Sequence, residues 1–339
     1  MSTMKPSRAW KAIADSATLG RLALLATATL PLAWQAQVPA AYVHLAQFQA
    51  LAQEHGDRAA GTPGYEAAAQ YVEQELADAG YESHRQYFTF EYRGEEVESF
   101  NILAEAEAED GETGAADADT VVMLGAHLDG VPGSPAINDN ASGAVALLEA
   151  AKALSAQEGI TSTVRFAWWG AEEYRRSPGS RHYVEDLAED DSEELESIAA
   201  YLNVDMVASP NPVIGVYDAT DTDSGLEVPD GSVEVMEVFT DYFDARDQPW
   251  VPTDWNFVSD QVAFVENDIA VGGLFTGSDE RKSPREARLF GGEARRPRDP
   301  NYHLPGDDLG NVDLDTLETM TAAVTHAANA LAQDSSDLE

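Results

Sequence analysis

Cysteine is absent from this 339-residue chain. That excludes a disulfide framework, a thiolate nucleophile and any thiolate-liganded metal site, so a metal would have to be held by His, Asp and Glu. Positive charge is scarce: 20 Lys and Arg stand against 61 Asp and Glu, a formal balance of −41. Phosphates would be repelled rather than neutralised, which excludes nucleic acid as a partner and disfavours an anionic membrane surface equally. Such acidity serves solubility at high ionic strength, where screening shortens the reach of self-repulsion, and it points to a halophilic protein. Long apolar runs are missing as well. The stretch "LALLATATLPLAW" (22–34) is short for a membrane span and contains Pro31, so no span is expected in the mature chain.

What surrounds that stretch is informative. Lys5, Arg8, Lys11 and Arg21 precede it, and small residues follow at Val38 and Ala40, compatible with cleavage near Ala40 or at Ala36. This is the three-part layout of a secretory signal. Residues 1–40 are therefore expected to be a signal peptide, and the protein to be secreted or extracytoplasmic.

With 44% hydrophobic residues the chain has ample material for a core. Apolar residues at three- and four-residue spacing predict helices in "HLAQFQALAQ" and "YEAAAQYVEQELADAG", separated by the turn-forming "GDRAAGTPG". "RQYFTFEY" and "FNILAEAEA" read as strands, followed by an acidic surface loop, "EDGETGAADADT". Strands "VVMLGAH", "STVRFAWWG", "IAAYLNVDMV" and "AVGGLFT" then alternate with helices in "SGAVALLEAAKALS", "SRHYVEDL", "GSVEVMEVFTDYFDA" and "LDTLETMTAAVTHAANAL". The near-continuous apolar strands are those of a sheet covered on both faces. The expected fold is one α/β domain, residues 42–334, with a mainly parallel mixed β-sheet sandwiched between helices, followed by an acidic tail at 335–339.

In open α/β sheets ligands bind beyond the carboxyl ends of the strands. Ionisable residues collect at those ends. "VVMLGAHLD" ends in His127 and Asp129, "VRFAWWGAEE" in Glu172 and Glu173, and "YLNVDM" delivers Asp205. Asp139 stands in "INDNASG" before a helix, and "DPNYHLPGDD" places Tyr302 and His303 before the last one. Each has a bland reading alone. His127 could be a satisfied strand-end histidine, Asp139 a helix cap, and the Glu pair a solvated helix start. Asp205 is harder to dismiss, since a carboxylate in an apolar run costs several kcal/mol unless paired or ligated. Together, the carboxylates would repel one another unless cations compensate. Imidazole and carboxylate suit zinc, and five such ligands are too many for one open catalytic ion but fit two sharing a carboxylate, with Asp139 as the natural bridge. Asp129, two residues past His127, is placed to hold that imidazole. One of the adjacent glutamates can ligate while the other stays free as a general base.

"GAHLDGVPGSPAINDNASGAVALLE", "FAWWGAEE", "YLNVDMV", "GGLFTG" and "YH" occur in an order that resembles the secreted bacterial di-zinc aminopeptidases, the leucine-type enzymes of metallopeptidase family twenty-eight. The upstream "DRAAGTPGY" resembles them too, and the likeness spans residues 44–333. The resemblance implies two Zn2+ per chain (other divalent metals being possible), with His127 and Asp205 on one, Glu173 and His303 on the other, and Asp139 bridging. It further implies Glu172 as general base, Tyr302 as donor to the developing oxyanion, Phe275 as lining for an apolar first side chain, and an unusual peptide at Asp139–Asn140 that turns the carboxylate inward. The expected partners are peptide substrates with a free N-terminus, and the chain is expected to be a monomer.

Three departures stand out. Relatives often read "RSDH" where this chain has "VSDQ" (Val258 to Gln261), so a basic residue near substrate is missing. Cysteines found in some relatives are replaced by Asn301 and Gly306, so the Tyr302–His303 loop must be held otherwise, with Pro305 and "DPNY" as candidates. Arg281 or Lys282, in a basic stretch, could restore the missing charge. Rival functions on the same scaffold are a single-zinc glutaminyl cyclase, a di-zinc carboxypeptidase or deacylase, and a non-catalytic receptor-type domain. Calcium could find oxygen ligands in "EDLAEDDSEELES" and "DATDTDSG", but neither has the spacing of a calcium loop.

Overall fold

The computed structural model describes residues 39–108, 120–220, 228–253 and 259–338. Residues 1–38 of the expected signal, nearly all of the acidic stretch 109–120, part of "DATDTDSG" and Val258 lie outside the described residues. Helix α1 (Ala40–His55) buries Ala41, His44, Leu45, Phe48 and Ala52, one stripe at helical spacing, against the domain. Thr62 caps α2 (Pro63–Asp78) by accepting from the Tyr65 N–H, and Pro63 takes a first-turn position where its missing N–H costs nothing. A long hairpin follows, β1 (Ser83–Tyr92) and β2 (Glu95–Ala106), antiparallel throughout.

The centre of the sheet is β3 (Val121–His127), β4 (Thr163–Trp169), β5 (Ile198–Val204) and β8 (Ala270–Phe275). Two three-residue strands, β6 (Gly215–Tyr217) and β7 (Val251–Thr253), complete the order β1-β2-β4-β3-β5-β8-β6-β7. The inner pairs β4/β3, β3/β5 and β5/β8 are parallel, while β2 and β6 join them antiparallel. Alternation along the inner strands feeds two cores. Val122, Leu124 and Ala126 of β3 face the core shared with α1, α2, α3 (Ser142–Leu154) and α9 (Leu314–Gln333), together with α6 (Ser232–Asp244). Val121 and Met123 face the other, with α4 (Pro178–Asp190) and α7 (Gln261–Val265). The expected α/β sandwich is therefore the observed one.

The remaining helices are short: α5 (Ser192–Ser197), capped by Asp191, and α8 (Pro284–Phe290), opened by a Ser283/Glu286 capping box. The acids of "EDLAEDDSEELES" lie on α4 and α5 as helix surface. The acidic tail is not loose at its start: Ser335 is buried, hydrogen-bonded to Ser162 at 2.7 Å, and Leu338 packs on the larger core. Among the described residues no helix is long and apolar enough to cross a membrane.

Candidate metal and catalytic centre

Because β3, β4 and β5 run parallel side by side, their carboxyl ends deliver His127, Glu172–Glu173 and Asp205 to one sheet edge. Asp139 arrives from the segment Ile137–Ala141 that enters α3, and the Asp139–Asn140 peptide is cis. His303 comes from the loop before α9. His127 Nε2 lies 3.3 Å from Asp139 Oδ1 and 3.4 Å from Asp205 Oδ1. His303 Nε2 lies 3.1 Å from Asp139 Oδ2 and 3.0 Å from Glu173 Oε2. Two groups result, His127–Asp139–Asp205 and Asp139–Glu173–His303, with ligand atoms within 4.8 Å of one another in each. Asp139 belongs to both. Its carboxylate caps nothing, since α3 starts at Ser142 without a side-chain cap.

The donor chemistry fits a cation. Asp139 Oδ2, Glu173 Oε1 and Asp205 Oδ1 are buried without a hydrogen bond, a costly arrangement for carboxylates unless something positive completes it. Each group offers one imidazole nitrogen and two carboxylates, the three-ligand set of an open zinc site. Within the cluster the two imidazoles are the groups that can carry positive charge. Burial pulls His127 down, yet Glu172, Asp205, Asp129 and Asp139 push it well above its ordinary value. His303, against the pull of its burial, is pushed up to about 10 by Asp139 and Glu173. Burial and the Asp139 charge push Glu173 up to about 8, and burial raises Glu172 strongly despite His127.

Glu172 belongs to neither group; its Oε2 stands 3.9 Å from His127 Nε2. Tyr302 stacks on His303 with ring centroids 3.8 Å apart, and burial followed by the surrounding carboxylates keeps its hydroxyl protonated. Asp129 meets His127 through its main chain as well as its side chain. The His127 Nδ1 hydrogen bond runs to the Asp129 main-chain oxygen at 3.2 Å, while the carboxylate is 3.6 Å away. That carboxylate also accepts the Glu172 and Glu173 N–H groups at 3.0 and 3.4 Å, pinning the turn that carries them. Asn140 joins the centre to β5: its Nδ2 donates to Val204 O and its Oδ1 accepts from the Met206 N–H. Phe275 is 2% exposed and sits in the core with Met206 and Tyr217, so it is a core ring, not the wall of an open pocket.

Several residues that hold the centre escaped the sequence reading. Asp307 accepts the N–H groups of Asn138 and Asp139 at 2.8 and 3.0 Å, so the His303 loop directly supports the Asp139 segment. Asp299 accepts from Asn138 Nδ2 at 2.7 Å. Arg58, fully buried, donates to the carbonyls of Leu128, Pro135 and Ala136, fastening the segment between Asp129 and Asp139. Asp260 is buried, and that burial pushes it up to about 7.

The model of peptidase family M28 matches residues 101–328. The chain belongs to peptidase family M28. It is 39% identical to leucine aminopeptidase 2 of Trichophyton rubrum over 229 residues, covering 68% of this chain and 44% of that protein. It is 42% identical to an aminopeptidase of Pseudomonas aeruginosa strain UCBPP-PA14 over 228 residues, covering 67% of this chain and 40% of that one. The chain thus spans less than half the length of these curated relatives. A zinc aminopeptidase from Bacillus subtilis shares its fold at a TM-score of 0.68 and 17% identity, covering 86% of this chain and 94% of the other. A glutaminyl cyclase from Porphyromonas gingivalis does so at 0.61 and 17%, covering 86% and 96%.

Within this M28 frame the departures acquire structure. The loop without cysteines is held through Asp299 and Asn301 of "DPNY". A Cβ built on Gly306 would lie 2.4 Å from Asn301 Oδ1, while Asn301 Nδ2 donates to Asn311 Oδ1 at 2.7 Å and the Asn301 N–H to Asp299 Oδ1 at 2.7 Å. Of the two candidates for a restored charge, Lys282 is buried with its ammonium on the Pro212 carbonyl, and Arg281, exposed, donates to the Arg295 carbonyl. Gln261 is buried at the start of α7.

Proposed function

We propose that this M28 domain is a secreted two-zinc aminopeptidase that removes the first residue of peptides with a free N-terminus. The observation that carries the reading is the pair of three-ligand groups sharing Asp139, with one further carboxylate, Glu172, beside them and in neither. One ion would be held by His127, Asp205 and one Asp139 oxygen, the other by Glu173, His303 and the second. When bound, such ions polarise the scissile carbonyl and the attacking water. Glu172 takes the proton from that water and delivers it to the leaving amine. Tyr302 donates its hydroxyl to the developing oxyanion, where a fixed donor is worth most. The substrate ammonium lies between Glu172 and Asp205, so an N-blocked peptide has no counter-charge to offer.

A large apolar first residue is favoured by the names of the relatives. Secretion rests on the basic, apolar and small-residue pattern of residues 1–40, and salt adaptation on the charge of −41. A monomer remains our reading, checked by light scattering in molar salt. Glutaminyl cyclases share the fold, but two ligand groups rather than one favour hydrolysis.

The test is hydrolysis of leucine p-nitroanilide beside its N-acetylated form, in molar salt with zinc. Turnover of the free amine alone supports the reading. Cleavage of the acetylated compound would rule out an aminopeptidase and turn the search to deacylase and carboxypeptidase substrates.

A further inference from the structure

Tyr201, Asn203 and Asp205 alternate along β5 and just past its end, so the first two side chains share a face of the sheet. A buried chain of hydrogen bonds runs across that face. Trp169 Nε1 donates to the Tyr201 hydroxyl at 2.8 Å, and that hydroxyl donates to Asn203 Oδ1 at 2.8 Å. Asn203 Nδ2 donates to Ser259 Oγ at 3.3 Å and to the Tyr217 hydroxyl at 3.1 Å. Ser259 Oγ donates to Asp205 Oδ2 at 3.0 Å.

The direction of this chain is forced. An indole N–H can only donate, so the Tyr201 oxygen accepts and its proton must go onward. That proton fixes the Asn203 amide with its oxygen toward Tyr201 and its NH2 toward Ser259. The Ser259 oxygen accepts there, which leaves its own proton for Asp205. Each link polarises the next.

A second observation shows that the sheet is built around the first link. Trp169 and Tyr201 sit on β4 and β5, with β3 between them. They meet over Gly125 of β3, where a Cβ would lie 2.4 Å from both Trp169 Nε1 and the Tyr201 hydroxyl. Any side chain at position 125 would have to push the two apart.

We propose that the Trp169–Tyr201–Asn203–Ser259 relay, passing over Gly125, positions Asp205 as a metal ligand. This rests on the two-ion reading given above. The relay occupies Asp205 Oδ2 and leaves Oδ1, which has no hydrogen bond and lies 3.4 Å from His127 Nε2, to face the cation. It therefore enforces one-oxygen ligation by Asp205 and sets how strongly that oxygen donates. Ser259 and Tyr201 are positioning residues, acting through Asp205.

The experiment is zinc competition against a chromophoric chelator for wild type, Ser259→Ala, Tyr201→Phe and Gly125→Ala, each checked for folding by circular dichroism. Ser259→Ala is expected to weaken one of two sites by ~10–100-fold, the range for loss of a partner that orients a ligand, with the other site unchanged. Tyr201→Phe and Gly125→Ala weaken the same site, and should Gly125→Ala not fold, the other two carry the test. Unchanged affinity in Ser259→Ala, or equal weakening of both sites, overturns the relay. A wild type that takes up fewer than two ions overturns the two-ion reading instead. The relay then stands only if Ser259→Ala weakens whatever ion remains.

Discussion

Replacing Arg58 by methionine keeps most of the buried stem and deletes the guanidinium. Three carbonyls, of Leu128, Pro135 and Ala136, lose their donor, and Leu128 and Ala136 are buried. Hydrogen bonds from a charged group contribute ~1.5–3 kcal/mol each, and breaking a buried charged network costs ~3–5 kcal/mol after relaxation. The lower figure applies if the segment sags to reach other donors. For a domain of this size a kcal/mol corresponds to about 2 °C or slightly less, so Tm should fall by ~5–10 °C. The guanidinium also stands among Asp129, Asp307, Asp139 and Glu173, although burial pulls its pKa down to about 10. Arg58→Lys keeps the charge but not the fork and should fall between wild type and Arg58→Met. The assay is thermal unfolding in molar salt, with and without zinc. An Arg58→Met protein as stable as wild type would refute the claim that this side chain fastens the segment carrying Asp129 and Asp139.

Glu172→Gln should lose at least ~100-fold in kcat on leucine p-nitroanilide while still binding two zincs, because the residue belongs to neither ligand group; loss of an ion by metal analysis would reassign it as a ligand. Asp307→Ala should destabilise the protein by ~2–5 kcal/mol, since the N–H groups of Asn138 and Asp139 would be buried without an acceptor, and denaturant unfolding measures it. In the metal-free protein, Asp260 and Asp307 sit near 7 and Glu173 near 8, raised chiefly by burial, and His303 near 10, raised by Asp139 and Glu173. All four hold their protons more tightly when folded, so their stabilisation is full below the ordinary values of 3.8 to 6.5 and is lost as pH rises toward 10. Metal-free Tm should therefore fall between pH 5 and 10, and the gain in Tm on adding zinc should be larger at pH 8 than at 5.5; a flat metal-free profile would contradict this.

The inner strands were legible because burial on both faces leaves near-continuous apolar runs, and "VVMLGAH" and "IAAYLNV" became β3 and β5. The charges that end such runs were legible for the same reason. His127 and Asp205 are conspicuous where an apolar run meets an ionisable group, and the structure brings both to Asp139. The short strands β6 and β7, three residues each, are too brief to show a period. The supporting residues were silent for a different reason. Arg58 acts on carbonyls some 70 to 78 positions away, and Asp307 on N–H groups 168 and 169 away. Their partners are main chain, which any residue supplies, so no pattern in the sequence announces them. Asp129 was found through its spacing from His127, yet its carboxylate holds the Glu172–Glu173 turn, a contact only the β3–β4 pairing creates. Lys282 misled because a basic residue in an acidic chain suggests a ligand site, whereas its ammonium closes on Pro212.

Everything proposed for this centre depends on two cations sharing Asp139. Anomalous diffraction at the zinc edge, from crystals grown with zinc, tests it directly. Two peaks are expected roughly 3.5–4 Å apart on either side of the Asp139 carboxylate, one beside His127 and Asp205 and the other beside Glu173 and His303. A single peak, or two that do not share Asp139, would contradict it.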